Sequence, residues 1–185
     1  MVRAASAAVP ARPLPQAWDS MTGAEPTETE TWTDGENAHT RSIFADGSRS
    51  ELTSQIPRVE ASDGRTGRAA SVRSTPLGPY PYGWNFNGCK VRHSEPLLTF
   101  WFTMNVRTLG SAAGYPAQIT SVSPVYANVV GGTSNNPSTY IGRSSGSTNS
   151  SPAYAIGALS VTYSAVASFN YAIRGNVGYT IWASY

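Results

Sequence analysis

The alternation between Leu98 and Arg107 constrains this chain more than any other feature. Leu98, Phe100, Phe102, Met104 and Val106 alternate at strict period two with Thr99, Trp101, Thr103, Asn105 and Arg107. Successive side chains of a strand point to opposite faces, so the stretch reads as one strand with a core face and a solvent face. A longer alternation sets Leu159, Val161, Tyr163, Ala165, Ala167, Phe169, Tyr171 and Ile173 against Ser160, Thr162, Ser164, Ser168, Asn170 and Arg174. A single strand of that length is uncommon, so a bend is expected between Ala165 and Ser168. Arg174-Gly175-Asn176 reads as a turn into a last strand, with Val177, Tyr179, Ile181, Ala183 and Tyr185 inward and Thr180 and Trp182 outward.

Charged residues are only 13% of the chain. Helices are solubilised by Lys, Glu and Arg, whereas a sheet presents Ser and Thr to water, so the composition favours strands as well. Cys89 to His93 reads as the first full strand, after an aromatic lead-in from Pro76 that holds Tyr80, Tyr82, Trp84 and Phe86. Ile119 to Val130 has the Val and Ile for one or two strands, broken at Pro124 and ended by Gly131-Gly132. Short strands around Thr139 to Ile141 and Tyr154 to Ile156 flank the loop-like Gly142 to Pro152 tract. Roughly six to eight short strands with polar turns between residues 84 and 185 indicate an all-β fold, a small antiparallel β-sandwich, with a small β-barrel as the alternative closure.

The amino-terminal third is of another texture. Residues 1–30 read as a disordered tail or the remnant of an export signal, since Met1 to Pro13 has small residues but no apolar core. Residues 31–56 carry two Asp-Gly turn signals, Asp34-Gly35 and Asp46-Gly47, around His39-Thr-Arg-Ser-Ile-Phe. That is the pattern of a small β-meander, either docked on the main domain or separate from it. Residues 57–75 read as a linker, and residues 76–185 as the sandwich domain.

Trp32-Thr-Asp-Gly, then His39-Thr-Arg-Ser-Ile-Phe-Ala-Asp-Gly-Ser, a Gly-Cys-X-Val strand at 88–91 and Pro-Ala-Tyr-Ala at 152–155 follow one another along the chain. In this order they resemble secreted all-β proteins of Gram-positive actinobacteria that have no assigned function. The resemblance covers most of the chain; it implies export and an all-β fold and brings no activity and no site residue with it.

Charge narrows the choice of partner. Residues 1–75 hold eight Arg against ten Asp and Glu, while from Pro76 onward Lys90, Arg92, Arg107, Arg143 and Arg174 face Glu95 alone. Five dispersed cations do not make the dense basic stripe of a nucleic-acid binder. No apolar run is long enough to span a membrane as a helix. The single cysteine, Cys89, excludes an internal disulfide and a cysteine-built metal cluster. It reads as a small buried residue, with a disulfide to another chain as the other use of its thiol.

Catalytic chemistry needs convergent groups, and few are present. His93 and Glu95 share a face two residues apart and form the one conceivable acid–base couple of the main domain. Glu95 precedes Pro96, which favours a solvated turn carboxylate instead. No serine lies in a nucleophile elbow, and no dinucleotide fingerprint or phosphate-cradling loop occurs, so neither enzyme activity nor a cofactor or metal is expected. Surface recognition by aromatic rings remains. Trp101 and Trp182 oppose the core stripes, and Tyr80, Tyr82 and Trp84 cluster in the lead-in; structural packing is the competing use of all five. The expectation is an exported, non-enzymatic cell-surface domain for carbohydrate or cell-wall polymer. The alternative is a structural protein that associates with itself or with a protein partner, and a hydrolase on His93 and Glu95 comes last.

Overall fold

The computed structural model describes residues 19–56, 73–76, 83–109, 117–146, 151–163, 167–177 and 181–184. Within them lie a short helix α1 (Asp19–Thr22) and the strands β1 (Glu28–Thr33), β2 (Asn37–Ile43), β3 (Arg49–Gln55), β4 (Arg73–Pro76), β5 (Gly83–Ser94), β6 (Leu98–Leu109), β7 (Ala117–Val122), β8 (Tyr126–Val129), β9 (Gly132–Arg143), β10 (Ala153–Tyr163), β11 (Ala167–Val177) and β12 (Ile181–Ser184). They form two antiparallel sheets packed as a β-sandwich. The larger, 8-stranded sheet runs β1-β2-β3-β5-β6-β7, with β4 on β5 and β8 on β6; the smaller runs β12-β11-β10-β9.

The core follows the alternation. Leu98, Phe100, Phe102, Met104 and Val106 of β6 are all buried and meet Ala155, Leu159 and Val161 of β10 and Tyr171 and Ile173 of β11. Each fully buried large side chain contributes roughly 1.5–3 kcal/mol relative to exposure. Glycines of the small sheet let the large sheet come close: a Cβ on Gly175 would lie 2.8 Å from Val91 Cγ2 and 2.9 Å from Met104 Cε. Cys89 sits in the same layer, fully buried on β5.

The two Asp-Gly signals are the turns of a meander, with Gly35 and Gly47 both at positive φ. In the first, the Asp34 carboxylate accepts hydrogen bonds from the backbone N–H of Glu36 and Asn37. These contacts, with the Asn37 side chain foremost, hold the Asp34 carboxyl well below its usual range. The meander is not a separate unit: β3 pairs with β5 through Glu51↔Ser94 to Ser54↔Val91, which makes β1–β3 one wing of the large sheet.

Four sequence expectations need correction. The tail assigned to residues 1–30 ends earlier: α1 is tied to the β2–β3 turn through Asp19 N–H to Asp46 and Ser20 N–H to Ser48, and β1 starts at Glu28 opposite Ile43. Residues 1–18 lie outside the described residues. The linker 57–75 gives way at Arg73 to β4, paired with Asn87 to Trp84 of β5; residues 57–72 lie outside the described residues. The short strand at Thr139 to Ile141 is in fact the 12-residue β9, an edge strand exposed along most of its length, so it carries no apolar alternation. The turn placed at Arg174 to Asn176 is strand, since these residues pair with both Ile156 to Tyr154 and Ser184 to Trp182.

Candidate functional site

The outward residues of the large sheet line up in rows across the strands. One row runs Tyr126↔Trp101↔Arg92↔Thr53↔His39↔Trp32, from β8 through β6, β5, β3 and β2 to β1. Aromatic pairs stand at both of its ends. Trp101 and Tyr126 stack with ring centroids 6.0 Å apart and planes 24° apart, and the Lys90 ammonium lies 4.6 Å from the Trp101 centroid. Tyr126 is 51% exposed. At the other end Trp32 stacks on His39 at 4.8 Å with planes 3° apart, and the Arg41 guanidinium sits 4.7 Å from the Trp32 centroid.

The two ends differ in charge. Around Trp32, His39 contacts Asp34 and Glu51, while Arg41 contacts Glu30 and Glu51, so the arginine there has carboxylate partners and the carboxylates are in excess. Around Trp101, Lys90 and Arg92 stand among Thr99 and Thr103, with Asn105 and Arg107 farther along β6 and no carboxylate on the strands β5–β8. Arg107 is oriented by a bond from its Nε to Asn85 Oδ1 at 3.2 Å. The Trp101 end is therefore a flat aromatic and hydroxyl-bearing surface with unmatched positive charge.

Of the sequence candidates, only Trp101 is placed with its surroundings in view. Trp182 belongs to β12 of the small sheet, opposite Asn176, so it does not share a face with Trp101. Trp84 stands on β5 opposite Thr108, and the side chains of Trp84 and Trp182 are outside what the structure describes. Tyr80 and Tyr82 lie outside the described residues. Tyr126, Lys90, Trp32 and His39 were not singled out from the sequence. The Trp32–His39 contact was legible, since a hairpin about Asp34-Gly35 sets those two residues opposite each other.

No family model, curated protein or solved structure matches the chain. The functional reading therefore rests on these residues alone.

The His93–Glu95 couple is real but enclosed. His93 Nε2 lies 2.9 Å from Glu95 Oε1, and each side chain is 1% exposed. The Tyr171 hydroxyl of β11 donates to Glu95 Oε2 at 3.4 Å, linking the two sheets. Burial, with the Glu95 charge adding to it, pushes the nearby Tyr163 phenol up to about 12. The expectation of a solvated Glu95 is overturned: its turn folds inward because Tyr171 and His93 supply polar partners within the core. Enclosed in this way, the couple presents neither an acid nor a base to solvent.

Cys89 is equally remote from solvent, and burial pushes its thiol up to about 12. A cross-link to another chain through this residue has no access in this fold. Among the described residues no group of His, Cys, Asp and Glu has the arrangement of a metal site, and no helix is long and apolar enough to cross a membrane.

Proposed function

We propose that the protein is an exported, non-enzymatic domain that binds carbohydrate polymer at a cell surface through the Trp101 end of the large sheet. The observation that supports this most is the stacked Trp101–Tyr126 pair on the solvent face, with Tyr126 half open. Sugar rings present an apolar C–H face that packs on an aromatic plane, while their hydroxyls need donors and acceptors at the rim. Thr99, Thr103 and Asn128 supply such groups next to the pair, and Lys90 and Arg92 add donors. Held on a sheet instead of loops, the rings lose little conformational freedom on binding.

The test is co-sedimentation of the full chain with isolated cell wall and a panel of insoluble polysaccharides, at low and high salt. Salt-resistant pelleting on at least one polymer is expected. Trp101→Ala and Tyr126→Ala should each weaken it by roughly tenfold or more, as for a central aromatic anchor. Pelleting on no polymer, or pelleting untouched by both substitutions, would overturn the reading and direct attention to protein partners and self-association.

A further inference from the structure

The small sheet carries a second group of side chains on its own solvent face. Tyr154 of β10 stands opposite Arg143 of β9 and Asn176 of β11, and the next row outward along the sheet is Tyr140↔Ile156↔Arg174. Both arginines lean onto the Tyr154 ring: the guanidinium carbon of Arg174 is 3.6 Å from its centroid and that of Arg143 is 5.8 Å away. Two full positive charges thus lie within about one Debye length of each other.

The ring that holds them is itself held. A Cβ on Gly142 would fall 2.0 Å from Tyr154 Cε2, so the ring lies directly on the β9 backbone at the one residue type that admits it. Arg143 is further fixed by a hydrogen bond to Ser151 Oγ. A guanidinium stacked by its face keeps its in-plane N–H groups for an oxygen ligand.

Among the described residues nothing neutralises the pair. Neither arginine has an ion-pair partner among the described residues, and the Nε of Arg174 is enclosed there with no hydrogen-bond acceptor. The chain has no Asp or Glu after Glu95, which is buried elsewhere. Like charges held together without a counter-charge cost free energy, which an anion in contact with both would return.

We propose that Arg143, Arg174 and Tyr154 form a binding site for a phosphate group, on the sheet opposite the Trp101 platform and independent of it. A carboxylate has two oxygens and is satisfied by one guanidinium fork. A phosphate offers oxygens in more than one plane and can engage two guanidinium forks at once. Tyr140, 53% exposed in the neighbouring row, gives an apolar flank for whatever carries the phosphate.

The experiment is an NMR titration of the full chain labelled at arginine, following the Nε–Hε signals with inorganic phosphate, glycerol 3-phosphate and acetate, each against chloride at matched ionic strength. Saturable shifts of Arg143 and Arg174 with both phosphates and not with acetate are expected. Tighter binding of glycerol 3-phosphate would identify an ester as the group recognised; equal binding would identify the phosphate alone. Arg143→Ala, at an exposed position, should weaken phosphate binding roughly tenfold, the usual scale for losing a hydrogen bond to a charged group. Arg143→Lys should restore only part of it. Shifts no larger than those with chloride, equal shifts with acetate, or an unchanged curve in Arg143→Ala would each overturn the assignment.

Discussion

Replacing Glu95 by alanine removes an acceptor from two buried groups at once, His93 Nε2 at 2.9 Å and the Tyr171 hydroxyl at 3.4 Å. Breaking a buried pair of ionisable groups by deleting one partner costs about 3–5 kcal/mol, because the other keeps its desolvation cost without its partner. The Tyr171 bond is long, so on its own it is worth about 1 kcal/mol or less. Glu95→Ala should therefore lower the unfolding free energy by about 3–5 kcal/mol, of which the lost Tyr171 bond accounts for no more than about 1. Glu95→Gln, which keeps the shape and one carbonyl acceptor, should cost less, at about 1–2 kcal/mol. In a chain of this size each kcal/mol moves Tm by about 2–4 °C, so the alanine variant should melt roughly 6–20 °C lower. Urea unfolding followed by tryptophan fluorescence, with circular dichroism as the second probe, gives the ranking. An alanine variant within about 0.5 kcal/mol of the parent would refute the reasoning, since that is the range of an ordinary surface position.

The Cys89 thiol, moved by burial from its ordinary 9.0 to about 12, keeps its proton longer in the folded state than in the unfolded chain. Its contribution to stability is thus complete below pH 9.0 and lost as the pH rises towards about 12, which alkaline unfolding curves of the parent and Cys89→Ala should separate. At neutral pH an aromatic disulfide reagent should leave the native thiol untouched and label it only after denaturation; rapid labelling of native protein would contradict its burial. Gly157→Ala would place a Cβ 2.6 Å from Phe102 Cδ1 and 3.2 Å from Val125 Cγ2. It should cost about 1–3 kcal/mol by overpacking, and a neutral result in the same urea assay would mean that the sheets are not so close there.

What the sequence made legible was whatever has one dry face and one wet face. β6 and the β10–β11 pair show this directly, because Phe100 and Val161 are fully buried while Trp101 and Thr162 are not. The turns at Gly35 and Gly47 were readable because they need a residue type as well as a pattern. The full lengths of β1 and β9 were not, since edge strands exposed on both faces have nothing to alternate. Glu95 defeated local reasoning for a different cause. Its neighbours mark a turn, and the inward carboxyl is tolerable because His93 and, 76 residues later, Tyr171 give it polar partners in the core. The candidate site shows the same limit: Trp101 faces outward by its own alternation, but Tyr126 becomes its neighbour through the β6–β8 register alone. Arg143, Tyr154 and Arg174 meet only once three strands are laid side by side.

The carboxylates are gathered on one wing. Between Asp19 and Ile56 there are eight acidic residues and two arginines, whereas the chain from β5 onward carries five cations, none of them buried, and one acid, Glu95, which is buried. The described part of the molecule is thus an electric dipole, with its negative pole at the β1 edge of the large sheet. In the field of a negatively charged wall or matrix such a body does not arrive at random. It turns its β1 edge outward while still a Debye length or so away, so the choice of face precedes contact and weakens as salt is added.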